Sequence, residues 1–213
     1  MGDANIGNGA TYAPTAKAEQ VVAPGGFNFA AAFLDHGHIH GQTNGLKDAG
    51  GTLKWVYDPD PQKVAAFLEK NPEARVADSY LQILDDPDVR MVAAAAIPNV
   101  RAEIGFQCLE AGKDYFTDKS PFTTLGQLAT AREKVAESGC RYMVYYSERL
   151  HNEGAMKAGE LIAEGAIGRV LQVVNLAPHR LAKETRPDWF FLKEKYGGII
   201  TDIGSHQFEQ FLA

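Results

Sequence analysis

The sequence predicts an α/β protein whose first domain is a doubly wound parallel sheet and whose remainder begins a second, α+β domain. Two observations lead there. From Phe27 onward, short apolar runs alternate with amphipathic stretches of helical length, the pattern of parallel strands joined by crossover helices. The run from Met91 to Ala96 is apolar at every position, which places it at the centre of a sheet covered by helices on both faces.

On this reading the strands fall at 27–34, 53–57, 75–77, 91–97, 114–116 and 141–146, and the helices at 41–49, 61–70, 80–84, 100–111 and 124–138. Several helix starts carry local signals. Pro61 suits a first turn, where its missing N–H would have no intrahelical partner. Thr124 with Gln127 has the spacing of a capping box, and Asn99 can cap the helix after it. Further on come a helix over 154–164, a strand over 170–176, a loop rich in Arg and aromatics, and a last helix from about Ile199. The two domains are expected at 27–147 and 148–213.

The chain has 213 residues, 45% hydrophobic and 23% charged, with a formal net charge of -6. No apolar run reaches the length of a membrane span and no cluster of Lys and Arg offers a phosphate-binding face, so neither membrane nor nucleic acid is an expected partner. Cys108 and Cys140 lack partners at metal-ligand spacing and are expected to be buried thiols in a reducing cytoplasm. Residues 1–26, rich in Gly, Ala, Asn and Thr, have neither the basic start nor the apolar core of an export signal. They are expected to form a disordered tail, or an arm packed on a neighbouring subunit.

Ligands of doubly wound sheets bind beyond the carboxyl ends of the strands, so the chemistry is sought there. Asp35, His36, Gly37, His38, Ile39, His40 and Gly41 follow the first strand, at the place of a glycine-rich phosphate turn. The usual glycine spacing is absent, yet Gly37 and Gly41 still provide a tight turn and a close helix start whose amides could meet a pyrophosphate. Asp58 ends the second strand, where a carboxylate accepts from a ribose 2'-hydroxyl and repels a 2'-phosphate, which favours NAD over NADP. The alternating His36, His38 and His40 also raise a metal-dependent hydrolase, although imidazoles lining the turn by hydrogen bonding are the simpler reading. Asp118 and Lys119 follow the fifth strand. Asp202 and His206, four apart in a helical stretch, share a face, so the carboxylate can orient an imidazole suited to accept an alcohol proton.

Four segments, taken in order, resemble the Gfo/Idh/MocA oxidoreductases, the relatives of glucose-fructose oxidoreductase and inositol dehydrogenase. They are Ala96-Ile97-Pro98-Asn99 with Glu103; Leu109-Glu110-Ala111-Gly112-Lys113 followed by Asp118-Lys119; Gly165, Ile167 and Gly168; and the run from Gly197-Gly198 through Asp202 to Gly204-Ser205-His206. The resemblance runs from about Phe27 to the last residue. It implies a Rossmann-type NAD-binding domain, with cofactor contacts from Asp35, His36, Gly37, His38, Ile39, Asp58, Ile97, Pro98, Asn99, Asp118 and Lys119, and no metal. It further implies hydride transfer from a sugar or polyol carbon, in which Lys119 bridges substrate and nicotinamide, His206 accepts the proton and Asp202 positions both. His179, Arg180, Arg186 and Trp189 lie in a loop that reads either as substrate recognition or as a surface loop with one docked Trp.

Three departures from the family pattern stand out. Phe33 and Asp35 occupy places where relatives usually have the glycines of the phosphate turn. Ser120 replaces the proline after Lys119, leaving Pro121 as the nearest candidate for the family's cis bond. The resemblance also implies a longer second domain, of which this chain is expected to hold only the beginning, and a homo-oligomer of the full-length protein built on that domain's sheet. A cofactor-binding or regulatory module without catalysis is the rival function.

Overall fold

The computed structural model describes residues 19–213. Strands β1 (Asn28–Ala32), β2 (Thr52–Tyr57), β3 (Arg75–Val76), β4 (Val89–Ala94), β5 (Asp114–Asp118) and β6 (Tyr142–Tyr145) form one sheet in the order β3-β2-β1-β4-β5-β6. All five pairings are parallel. The crossovers are α1 (His38–Asp48), α2 (Pro61–Leu68), α3 (Tyr80–Asp85), α4 (Pro98–Glu110) and α5 (Leu125–Ser138). Strand order reverses between β1 and β4, so a crevice opens beyond their carboxyl ends.

Alternate residues of each strand serve opposite faces. Ala30, Ala32, Val92 and Ala94 join one core cluster with Tyr80, Ile104 and Tyr115, while Phe29, Ala31, Met91 and Ala93 join another with Ile39, Val56 and Phe67. β4 is therefore covered on both sides, as its uniformly apolar sequence predicts. α4 presses closely on β5 and β6: a Cβ at Gly105 would stand 2.5 Å from a Tyr115 ring carbon and 2.6 Å from one of Tyr142.

Several boundaries differ from the sequence reading. α1 begins at His38, so His38, Ile39 and His40 form its first turn instead of a loop. β1 and β4 stop at Ala32 and Ala94, and the apolar residues beyond them belong to turns at the crevice. Asn99 does not cap α4. Pro98 already occupies the first turn, Ile97 precedes it without a side-chain cap, and the Asn99 carbonyl accepts from Gln127 Nε2 at 2.9 Å. Thr124 does cap α5, its hydroxyl accepting from the Gln127 amide at 3.2 Å, but Gln127 Oε1 returns to the Thr123 amide at 2.9 Å.

Residues 170–176 form no strand. They are exposed, and no strand lies beside them among the described residues, so their backbone has no ladder to join. The rest of the second segment holds α6 (Ser147–Leu150), α7 (Glu153–Ala163), α8 (Lys193–Tyr196), a wide helical turn at Ile200–Gly204, and α9 (Ser205–Leu212). Most of the expected tail lies outside the described residues. Its end is tied to the domain, Val21 donating to the Ala49 carbonyl at 2.9 Å and Gly25 to Thr52 Oγ1 at 3.2 Å.

Candidate active site

The turn after β1 is stitched between its neighbouring strands. Phe33 donates to the Tyr57 carbonyl and accepts from the Ala95 amide, while His36 donates to the Ala95 carbonyl. Phe33 takes a φ of 54°, the left-handed backbone that favours glycine, at a cost of about 1–2 kcal/mol. Its ring turns away into the core, edge-on to Tyr80 at 4.9 Å and Tyr57 at 5.7 Å. A residue with a large side chain thus adopts a backbone that favours glycine and still leaves the crevice clear. Gly37 faces open space, with nothing within 4 Å of a Cβ built on it. Gly41 lets α1 approach β6, since a Cβ there would meet the Tyr145 hydroxyl at 2.5 Å.

Asp35 pairs with Lys63 on α2 at 2.6 Å. Asp58 stands at the end of β2 as expected, its side chain 2% exposed. Oδ2 accepts from the Leu34 amide at 2.7 Å and Oδ1 from the Asp60 amide at 2.8 Å, which ties the phosphate turn to β2. Each oxygen keeps a second lone pair for a ribose hydroxyl.

Asp118, buried at the end of β5, collects four donors. His38 Nδ1 lies 2.8 Å from Oδ1, the Lys119 amide donates to Oδ1 at 2.7 Å, and His36 Nδ1 and Arg101 Nη2 each lie 3.1 Å from Oδ2. Burial alone would push its pKa up, but His38, Arg101 and His36 hold the carboxyl well below the usual range. His36, by contrast, is pushed below its ordinary value by burial, against the pull of Asp118. The three alternating imidazoles do not act together: His40 stacks on Phe67 at 5.6 Å, while His36 and His38 converge on a carboxylate already committed to Arg101. The hydrolase reading built on His36, His38 and His40 finds no support, since His40 turns into the core and Arg101 already neutralises the carboxylate that the other two share.

Arg101 is a site residue that the sequence reading missed. Fully buried on α4, it donates to the carbonyl of Ala96 at 2.6 Å and of Ser120 at 3.1 Å, to the Lys119 carbonyl, and to Asp118. The signal was available, because a charged residue on the same helical face as Gly105 and Cys108 points at the core. The Lys119–Ser120 peptide is cis, at the family's position and not at Pro121.

Lys119 Nζ reaches Asp202 Oδ1 at 2.5 Å, a buried ion pair that joins the first domain to the segment before α9. Asp202 Oδ2 and His206 Nδ1 are buried without a hydrogen-bond partner among the described residues. Burial first, then Lys119 and His38, push the His206 imidazole down to about 3, so it stands neutral as a base. Tyr146 lies edge-on to it at 5.7 Å.

The loop residues divide between two places. His179 approaches the catalytic cluster through Glu148, its Nε2 lying 2.9 Å from Oε1. Arg186 instead lines a cavity of about 440 Å³ with Asp35, His36, Gly37 and Phe190, beside the phosphate turn. Trp189 is half-buried there, 6.5 Å from the His36 ring, and Arg180 is exposed. Ile97 and Pro98 open α4 at the crevice.

A sheet of this order, with a helix start and an acidic strand end at its switch point, is the architecture of a dinucleotide-binding domain; here a second segment brings an acid and an imidazole to the same edge. The chain belongs to the Gfo/Idh/MocA oxidoreductases. Residues 25–146 match that family, described as an oxidoreductase family with an NAD-binding Rossmann fold, and residues 155–213 match its C-terminal domain. A D-xylose dehydrogenase of Paenarthrobacter nicotinovorans is 27% identical over 176 residues, which cover 76% of this chain and 45% of that protein. A levoglucosan dehydrogenase of Pseudarthrobacter phenanthrenivorans is 28% identical over 157 residues, covering 72% of this chain and 40% of the relative. A crystal structure from Erwinia carotovora atroseptica, assigned as an oxidoreductase, superposes with a TM-score of 0.84 at 45% identity, covering 87% of this chain and 56% of that one. The chain thus spans less than half the length of these two dehydrogenases.

Proposed function

We propose that this site, in the whole protein, oxidises a CH–OH group of a small sugar or polyol with NAD as hydride acceptor. The observation that carries the reading is the buried Lys119–Asp202 pair, with Asp202 Oδ2 and His206 Nδ1 both unpartnered beside it. Buried polar atoms are costly to leave unpaired, and a hydroxylated substrate would satisfy both. The sugars named in the two dehydrogenase relatives support the same substrate class.

The residues present fit the cofactor. Open space at Gly37, the cavity beside it and the Asp58 carboxylate offer room for a diphosphate and an acceptor for ribose hydroxyls. Asp35, His36 and His38 would line the diphosphate, and Ile97, Pro98 and Asn99 the opposite wall; Ile39, expected to contact the cofactor, is instead packed in the core and supports the turn from behind. When bound, NAD supplies the electron-pair acceptor for the hydride. Asp58 would repel a 2'-phosphate, so NADP is disfavoured. Asp118 holds His36 and His38 in place and positions the Lys119 amide. The Lys119 ammonium stabilises the alkoxide that develops as the O–H proton moves to His206, and Asp202 orders both partners. Arg186 and Trp189, beside the phosphate turn, would close over the bound cofactor, and His179 stands behind Glu148 at the exposed edge of the site.

The two thiols fit a reducing cytoplasm, Cys108 being buried and pushed up to about 12 by that burial, while Cys140, expected to be buried too, is half-exposed just after α5. Among the described residues no helix is long and apolar enough to cross a membrane. The full-length protein would assemble as a homo-oligomer.

NADH and NADPH titrations of the full-length protein test the cofactor, and a sugar and polyol screen tests the reaction. Lys119→Met and His206→Ala should each lower turnover by roughly 10²–10⁴-fold with cofactor affinity retained. Undiminished turnover in both variants would remove the assignment, and tight NADH binding without turnover on any sugar would favour a regulatory module.

A further inference from the structure

A base buried as deeply as His206, with 3% of its side chain exposed, cannot discharge its proton directly to solvent. Its Nε2 lies 3.8 Å from Glu148 Oε1, and that same oxygen lies 2.9 Å from His179 Nε2. Exposure rises along this path from 3% at His206 to 23% at Glu148 and 36% at His179. His179 Nδ1 faces the Ala177 carbonyl at 3.1 Å, so that nitrogen can donate there while Nε2 faces Glu148. Glu148 sits on α6, directly after the last strand of the sheet, and His179 lies further along the same second segment.

We propose that Glu148 and His179 form the proton exit of this active site, carrying the substrate's hydroxyl proton from His206 to solvent. The inference rests on the dehydrogenase reading. As hydride leaves the substrate carbon for the nicotinamide, the alcohol O–H bond breaks and its proton joins the free Nδ1 of His206. The imidazolium then gives up the proton on Nε2 to Glu148 Oε1. The Glu148–His179 pair, one proton richer, releases one to water from the exposed His179 ring; solvent entering as product leaves restores the starting tautomer of His206. One proton enters from substrate and one leaves to the medium. Glu148 is a positioning and relay residue, for the path gives it no contact with substrate.

The test uses the full-length protein in weakly buffered solution with saturating NAD and a sugar that the wild type oxidises. Glu148→Gln should lower kcat roughly tenfold to a hundredfold, leave the sugar KM and NADH affinity unchanged, raise the solvent deuterium isotope effect, and recover activity when formate or acetate is added. His179→Gln probes the outer end independently of any folding defect at Glu148, and should show a smaller loss restored by added imidazole. Unchanged kcat and isotope effect in both variants, or losses that no buffer restores, would overturn the relay. A wild type that binds NADH but oxidises no sugar or polyol would overturn the dehydrogenase reading and the relay with it, whereas a turning-over wild type beside indifferent variants would overturn the relay alone.

Discussion

Arg101 shows how much of the site depends on one side chain that touches no expected ligand. Its guanidinium spans from the end of β4 to the end of β5, holding the Ala96, Lys119 and Ser120 carbonyls and the Asp118 carboxylate. Arg101→Met would leave Asp118 buried without its strongest fixed countercharge and free three carbonyls, so a loss of about 3–5 kcal/mol is expected in urea unfolding. The remaining folded protein should also turn over slowly, because the Lys119 peptide would lose its anchor. A variant as stable as the wild type would show that His36 and His38 alone can hold Asp118. The contrast in legibility lies at this scale too. Asp202 and His206 could be read as a pair because local helical structure sets their spacing, and Lys119 could be read from its place directly after the fifth strand. Arg101 reaches Asp118, 17 residues further on, and Glu148 reaches His179, 31 residues further on, and no local pattern announces such contacts.

At the scale of elements, glycine positions separate those that sit on packed surfaces from those that do not. Gly105, in the middle of α4, faces Tyr115 and Tyr142 so closely that any Cβ would stand within 2.7 Å of three ring carbons. Gly105→Ala must push α4 off the sheet or tilt both rings, at an expected cost of about 1–3 kcal/mol. Gly126 lies in the first turn of α5, exposed, its nearest neighbour a Thr124 hydroxyl at 3.8 Å. Gly126→Ala should instead stabilise by about 0.5–1 kcal/mol, since alanine loses less conformational freedom in a helix. Thermal unfolding of the two variants side by side checks both signs, and equal effects would mean that the α4 contact is slack. The six strands and five crossover helices were legible because each carries its own period, and β4 because both its faces are apolar. The expected strand at 170–176 failed for the opposite reason: alternation makes a segment competent to pair, but pairing needs a neighbour, and among the described residues none is there.

For the whole molecule, the buried imidazoles set how stability should depend on pH. His36, His40, His151 and His206 are all pushed below the ordinary histidine value of 6.5, in each case first by burial, and His206 as far as about 3. The unfolded chain therefore takes up protons near pH 6.5 that the native state refuses, and their stabilising contribution, complete above that pH, drains away as pH falls toward 3. Asp118, held well below 3.8, adds a further loss once pH drops beneath that value. On the alkaline side Cys108 is raised from 9.0 to about 12, so the native thiol stays protonated where the unfolded one ionises, and stability falls as pH climbs past 9. Calorimetry should accordingly show a plateau in Tm between about pH 7 and 8.5, with a decline below 6.5 steeper than surface histidines alone would give. His206→Gln, which keeps the volume and a hydrogen-bonding head but cannot titrate, should make the acid decline shallower by one proton's share. If the slope is unchanged, His206 takes up its proton in the native state near pH 6.5, and the neutral base on which both the reaction and its proton exit depend is absent.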